Sequence, residues 1–145
     1  MKLAIASDHG GFELKDRLRA HLAEEGHEVT DFGPANAERA DYPDYAGLVA
    51  RAVASGAAER GVLVCGSGIG MSMAANKIAG VRAAVVQDVE HARLAREHND
   101  ANVLCLGGRF TAFELATAIL DAWLDAECTG DRHGRRIAKI HALES

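Results

Sequence analysis

Short apolar runs alternate with amphipathic segments along the whole chain. The apolar runs predict five β-strands, at residues 2–7, 29–32, 61–65, 81–86 and 102–106. Between them, apolar residues recur at helical spacing with charged residues interposed, which predicts helices at residues 12–25, 45–55, 71–78, 89–98 and 111–126. The segment from Asp131 onward is basic and weakly helical.

This alternation predicts an α/β protein, because strands separated by helices form parallel sheets with helices on both faces. Residues 61–65 are continuously apolar, as expected of a central strand buried on both faces. We expect a three-layer α-β-α Rossmann-like domain with a five-stranded, mostly parallel sheet. It forms a single domain over residues 1–145, with a basic C-terminal segment from about residue 129. Ligands of such sheets bind beyond the carboxyl ends of the strands.

Composition narrows the class of protein. Lys and Arg number 16 against 21 Asp and Glu, so the net charge of −5 argues against a nucleic-acid-binding surface. The three cysteines cannot all pair and none lies in a C-x-x-C motif, which is typical of a reducing compartment. The sequence has neither a secretory signal pattern nor an apolar run of membrane-spanning length. We therefore expect a cytoplasmic protein without nucleic-acid or membrane partners.

The most informative motif follows the predicted central strand and reads Cys65-Gly66-Ser67-Gly68-Ile69-Gly70. Glycines at this position let backbone N–H groups converge on an anion, and the same amides would stabilise a thiolate at Cys65. A small buried core residue is the alternative interpretation of Cys65. A Walker loop is excluded because no lysine follows Gly70, and a cysteine phosphatase is excluded because Met71 stands where an arginine is required. A non-catalytic dinucleotide-binding module using this loop and Asp88 remains an alternative.

Other polar groups are less specific. Asp8-His9 follows the first strand and is equally consistent with a helix cap. His98-Asn99 ends a helix, where the helix dipole favours a cationic histidine. Arg132 and Arg136 are spaced to share one helical face with His133 between them and to bind a phosphate, although Gly134 makes that helix uncertain. No His, Cys and Asp grouping has metal-ligand spacing, so we expect no metal.

With these motifs the chain resembles the sugar-phosphate isomerase family that includes ribose-5-phosphate isomerase B and the galactose-6-phosphate and allose-6-phosphate isomerases. The matching segments span nearly the whole chain: 6–12, 41–43, 65–70, 74–77, 96–100, 107–109 and 132–133. The resemblance implies interconversion of ribose 5-phosphate and ribulose 5-phosphate through a cis-enediolate, without a metal or organic cofactor. A six-carbon sugar phosphate, allose or galactose 6-phosphate, is the alternative substrate.

The resemblance also assigns roles to residues. It makes Cys65 the base that moves the proton between C1 and C2, and His98 the acid or base that opens the sugar ring. The amides of Gly66, Ser67, Gly68, Ile69 and Gly70 would face the enediolate oxygen. Substrate hydroxyls would be contacted by Asp8 and Asn99, and Tyr42 would line the pocket. The phosphate would be held by Arg109, Arg132 and Arg136, with His9 or His133.

Two further expectations concern the branch of the family to which the chain is similar and the oligomer that it forms. Some family members use a glutamate where Met71 stands here, so this chain resembles the branch that uses a cysteine as the base. All the implied groups occur in one chain, which favours a homodimer or tetramer. The helix ending at His98 is about 15 Å long and returns the chain to the edge of the sheet opposite Cys65. If both residues are catalytic, His98 must therefore come from a neighbouring subunit, so that the active site is shared.

Overall fold

The alternation of strands and helices is present along the whole chain in the computed structural model, which describes residues 1–144. The strands are β1 (Lys2–Ser7), β2 (Glu28–Asp31), β3 (Arg60–Cys65), β4 (Ala83–Val85) and β5 (Val103–Gly107). The helices are α1 (Phe12–Glu24), α2 (Tyr42–Ala54), α3 (Ile69–Ala75), α4 (Val89–Asn99), α5 (Phe113–Asp125) and α6 (Asp131–His141). A single 3₁₀ turn, His9–Gly11, links β1 to α1.

The five strands form one sheet in the order β2-β1-β3-β5-β4, and every neighbouring pair is parallel. Helices α1, α4 and α5 bury side chains such as Leu18, Ala92 and Trp123 against one face. Helices α2 and α3 bury Val49 and Met71 against the other face. This distribution follows from right-handed crossovers, since connections that run in opposite directions along a sheet place their helices on opposite faces. The predicted three-layer α/β fold is confirmed.

Three helices differ from the predicted ones. Helix α2 begins three residues early, at Tyr42, because Pro43 lies in its first turn, where a missing N–H costs nothing. Helix α3 begins within the glycine motif, at Ile69, and ends already at Ala75. Helix α6 continues through Gly134 and reaches His141, so the glycine does not break it.

The register of the strands defines two opposite edges of the sheet. Cys65 pairs with Gly107 at the carboxyl edge, and Gly61 pairs with Val103 at the amino edge. From β1 the chain continues to β2 on one side of the sheet, and from β3 it continues to β4 on the other side. The direction of the connections therefore reverses between the neighbouring strands β1 and β3. A crevice at such a reversal is where ligands of α/β sheets bind. Among residues 1–144, no helix is long and apolar enough to cross a membrane.

Candidate active site

Strand β3 delivers Cys65 to the carboxyl edge beside the strand reversal, and the glycine motif turns sharply around its sulfur. The side chain is only 4% exposed. Gly68 N–H donates a hydrogen bond to Cys65 Sγ over 3.1 Å. Gly68 adopts φ +82° to do so, a backbone conformation that costs an L side chain about 1–2 kcal/mol. A backbone dipole is therefore aimed at this sulfur.

A second thiol on the same face of the sheet differs from Cys65. Cys105 is fully buried, and burial raises the pKa of its thiol far above the ordinary value, with a smaller contribution from Cys65. Cys105 is therefore a neutral thiol at physiological pH. Met71 is also fully buried in this core, so no carboxylate occupies that position beside Cys65.

The loop after β5 is tied to the Cys65 loop by backbone hydrogen bonds. Gly108 N–H donates to Cys65 O over 2.7 Å, and Arg109 N–H donates to Gly66 O over 3.1 Å. The Arg109 side chain lies along the glycine loop, so that a Cβ on Gly66 would come within 3.2 Å of Arg109 Nη1. These contacts place a guanidinium beside the Cys65 loop.

Asp8, His9 and Tyr42 complete the carboxyl edge. Asp8 is a helix cap, as one interpretation of the sequence held, because its Oδ1 accepts from Gly11 N–H over 3.1 Å. Asp8 is also held against β3, since its N–H donates to Val64 O. His9 Nδ1 lies 3.2 Å from both the backbone nitrogen and the carbonyl oxygen of Ala40, which anchors the ring to the loop before α2. The Tyr42 ring packs so closely on Gly70 that a Cβ there would come within 2.6 Å of it.

A cavity of about 420 Å³ opens at this edge between α1 and α5. His9 and Arg109 line it, and so does Arg17, whose guanidinium carbon lies 3.9 Å from the centre of the Phe113 ring. Sequence reasoning missed Arg17 because nothing in its spacing on α1 separates it from an ordinary surface arginine. The cavity lining therefore contains three groups that can bear positive charge, together with the carboxylate of Glu13.

The remaining expected residues lie together at the far end of α4, where α6 packs against it. The rings of His98 and His133 stack with centroids 4.5 Å apart. Burial lowers the pKa of His133, and the charges of His98, Arg132 and Arg136 lower it further. Both arginines are exposed, as are His98 and Asn99. We call His98, Asn99, Arg132, His133 and Arg136 the α4–α6 cluster.

The α4–α6 cluster and Cys65 belong to opposite edges of the sheet within one chain. His98 precedes Val103, the residue that pairs with Gly61 at the start of β3, and Cys65 lies about 13 Å further along that strand. The structure therefore does not bring Arg109 and His9 together with Arg132 and Arg136 in one chain. A larger cavity, of about 670 Å³, also lies at the amino edge and includes Asn99, with Arg82, Ile140 and Glu144.

The geometry does not favour the dinucleotide alternative. Strand β5 lies between β3 and β4, so Asp88 is two strands away from the glycine loop rather than on the adjacent strand. Its carboxylate caps α4 by accepting from His91 N–H over 2.7 Å, a bond that also lowers the pKa of Asp88. The acid is therefore used within its own helix.

Known proteins are similar to this chain in sequence and in fold. The family model for Ribose/Galactose Isomerase matches residues 3–140. Ribose-5-phosphate isomerase B of Escherichia coli is 51% identical over 143 residues, covering 99% of this chain and 96% of that protein. The solved ribose-5-phosphate isomerase B of Clostridium thermocellum superposes with a TM-score of 0.98 at 50% identity, over 99% of this chain and 97% of that one.

A third relative was solved with a ligand. The structure of ribose-5-phosphate isomerase B from Mycoplasma genitalium holds bound ribulose-5-phosphate. It is 45% identical, covers 97% of this chain and 94% of that one, and superposes with a TM-score of 0.94. The agreement in sequence and fold over nearly the full length shows that this chain belongs to the ribose/galactose isomerase family.

Proposed function

We propose that this chain is an aldose–ketose isomerase that interconverts ribose 5-phosphate and ribulose 5-phosphate, with Cys65 as the base. The observation that carries the proposal is the position of the Cys65 sulfur, at the strand reversal and under the Gly68 amide. A buried thiol whose sulfur accepts from a backbone amide of a glycine-rich turn suits proton abstraction next to a carbonyl. Membership of the family supports the same reaction.

The reaction moves one proton between neighbouring carbons of the open-chain sugar. The Cys65 thiolate takes the proton from C2 of the aldose, which leaves a cis-enediolate with negative charge on oxygen. Backbone amides of residues 66–70 face that charge and stabilise it, as an oxyanion hole does. As the thiol returns the proton to C1, the hydroxyl proton on the C2 oxygen moves to the neighbouring C1 oxygen, which yields the ketose and regenerates the thiolate. These steps need no metal or organic cofactor.

The active site is shared between two copies of the chain in a homodimer. Two observations support this part of the proposal. Cys65 and His98 lie at opposite edges of one sheet, too far apart to act on the same sugar. The surface around the Cys65 loop also exposes large apolar side chains, with Ile69 49% and Phe110 76% exposed, as expected of a surface that another chain covers.

The second copy supplies the α4–α6 cluster in this dimer. Its His98 opens the furanose ring, its Asn99 contacts a hydroxyl together with Asp8 of the first copy, and its Arg132 and Arg136 meet Arg109 and His9 around the phosphate. The exposed guanidinium groups in both sets suit phosphate, which arginine binds through two parallel hydrogen bonds.

The test is isomerisation in deuterated water with ribose 5-phosphate, allose 6-phosphate and galactose 6-phosphate, followed by proton NMR. We expect kcat/KM to be at least tenfold higher for ribose 5-phosphate. We also expect solvent deuterium to enter the product, since the protonated Cys65 thiol exchanges with solvent while the enediolate is bound. A preference for a six-carbon substrate would contradict the substrate assignment. Calorimetric titration with NAD is the control, and tight NAD binding without turnover of any sugar phosphate would overturn the proposal.

A further inference from the structure

A group of metal-ligating side chains lies on the outer surface of α1 and α5, away from the Cys65 loop. His21 lies in the last turn of α1, Glu25 is the residue directly after that helix, and Asp121 belongs to α5. His21 Nε2 lies 2.8 Å from Glu25 Oε1 and 3.1 Å from Asp121 Oδ1. All three ligand atoms lie within 4.8 Å of one another. One ion with bonds of about 2.0–2.2 Å to nitrogen and oxygen fits among them after small side-chain adjustments.

From this geometry we propose that His21, Glu25 and Asp121 form a binding site for a divalent transition-metal ion, with Zn²⁺ as the preferred ion. An imidazole nitrogen selects zinc and its transition-metal neighbours over magnesium and calcium, which prefer oxygen ligands alone. The two carboxylates balance the charge of the dication. The side chain of His21 is 22% exposed, that of Glu25 38% and that of Asp121 42%. Solvent therefore reaches the site, and water completes the coordination of the ion.

The orientation of the donors favours an ion over an ordinary ion pair. Both carboxylates are aimed at the same imidazole nitrogen, which has only one proton to donate or one lone pair to offer. With that nitrogen unprotonated, three electron-rich atoms face one another, and a dication between them satisfies all three at once. The edge of the His21 ring meets Phe113 at 89°, with ring centroids 6.4 Å apart, which limits rotation of the imidazole.

A second histidine lies near one of the proposed ligands. His27 Nε2 lies 3.9 Å from Glu25 Oε2, the oxygen that does not face His21, which is within ion-pair range but too long for a hydrogen bond. The spacing along the sequence concealed the site, since His21 and Asp121 are 100 residues apart.

The ion ties α1 to α5 and has no contact with the proposed isomerase site, so it changes stability rather than turnover. The test uses the full chain after EDTA treatment, titrated with Zn²⁺ by calorimetry and with Co²⁺ by visible absorption. We expect one ion per chain, a rise in melting temperature with metal, and at least a tenfold loss of affinity in each of His21→Gln, Glu25→Gln and Asp121→Asn. Glu25→Gln is the decisive variant, because Glu25 is exposed and its replacement leaves the His21–Asp121 contact in place.

His91→Gln is the matched control. His91 lies 2.7 Å from a single carboxylate, Asp88, and is 73% exposed, so we expect its replacement to leave metal affinity unchanged. Three outcomes would overturn the proposal: no binding at one ion per chain, binding that survives Glu25→Gln and His21→Gln unchanged, or a cobalt–thiolate charge-transfer band, which would place the ion on a cysteine. Isomerase activity is measured alongside, and we expect it to be equal with and without metal.

Discussion

Cys65 and Cys105 are both buried thiols on the same face of the sheet, and they differ in what surrounds the sulfur. Cys105 lies in the middle of β5 among apolar side chains, where burial raises the pKa of its thiol. Cys65 ends β3, so its sulfur meets a backbone N–H instead. A shift of two residues along the paired strands therefore separates the proposed base from a thiol enclosed in the core.

Replacing each thiol tests this difference. We expect Cys65→Ala to abolish isomerisation while leaving the affinity for sugar phosphate largely intact, because the phosphate ligands are untouched. Cys105→Ala is the control, for which we expect native kcat and a loss of stability of about 1 kcal/mol from the small cavity it creates. Steady-state kinetics and urea unfolding measure both. Near-native turnover in Cys65→Ala would show that another group is the base.

The conformation of Gly68 leads to a second prediction at this scale. A Cβ there would lie 2.9 Å from the carbonyl carbon of Leu106, in addition to the strain of φ +82°. We expect Gly68→Ala to lower both stability and kcat, since the amide that faces Cys65 must move. Gly26→Ala is the matched control: φ is +87° but no atom lies within 4 Å of its Cβ position. This control loses about 1–2 kcal/mol of stability and keeps native kcat. Equal kcat in the two variants would contradict the role of the Gly68 amide.

At the scale of elements, the packing of α6 on α4 controls the environment of His133. Its ring is buried against His98 at the junction of the two helices, while the arginines on either side face solvent. The lowered pKa of His133 follows first from burial at this junction, and the neighbouring charges of His98, Arg132 and Arg136 lower it further. The docking of α6 is therefore linked to the protonation of His133.

The sign of the resulting pH dependence is fixed. The folded-state pKa of His133 lies below the ordinary value of about 6.5, so the unfolded chain binds its proton first as the pH falls. We expect the contribution of His133 to the free energy of unfolding to be constant above about pH 6.5. Below that pH the contribution falls, until the pH reaches the folded-state pKa of His133. Urea midpoints across this range measure it, and His133→Gln removes the titrating group. An unchanged pH profile in His133→Gln would contradict the assignment.

Helix α6 also separates neighbouring arginines by face. Arg132 and Arg136 are one turn apart and both act on His133, whereas Arg135 does not. We expect Arg136→Ala to raise KM by about tenfold or more with kcat nearly unchanged, as expected when a charged hydrogen bond to phosphate is lost uniformly. Arg135→Ala is the control and leaves KM unchanged. If Arg135→Ala were the more damaging change, the phosphate-binding face of α6 would be the opposite one.

At the scale of the whole molecule, the two halves of the proposed active site are held apart by the sheet itself. The loops after β1, β3 and β5 hold one half, and the junction of α4 with α6 holds the other half. A rigid parallel sheet cannot bend to close this gap. In the proposed dimer each half meets the complementary half of another copy, which is the arrangement a two-fold axis provides.

Mixing two inactive variants tests this arrangement. Cys65→Ala and His98→Ala are each inactive alone, but a mixed dimer contains one site with both residues intact. When subunits exchange freely, half the dimers are mixed and activity recovers to about a quarter of native, if sites act independently. Exchange is verified by mass spectrometry of labelled chains. Proven exchange without recovery would mean that both residues serve one chain.

The sequence by itself determined the order and kind of the elements, because apolar periodicity reflects local burial. It also marked the Cys65 loop, since glycines after a buried strand have few other uses. The predicted starts of α2, at residue 45, and of α3, at residue 71, were wrong because Pro43 and Gly70 permit helix in a first turn, which their local propensities do not reveal.

Only the tertiary structure decided the strand order β2-β1-β3-β5-β4, the separation of Cys65 from His98, and the meeting of His21 with Asp121. These features depend on pairing and packing between residues far apart in the chain. Local pattern cannot specify them, because the same alternation of strands and helices fits several strand orders, each of which brings different side chains together.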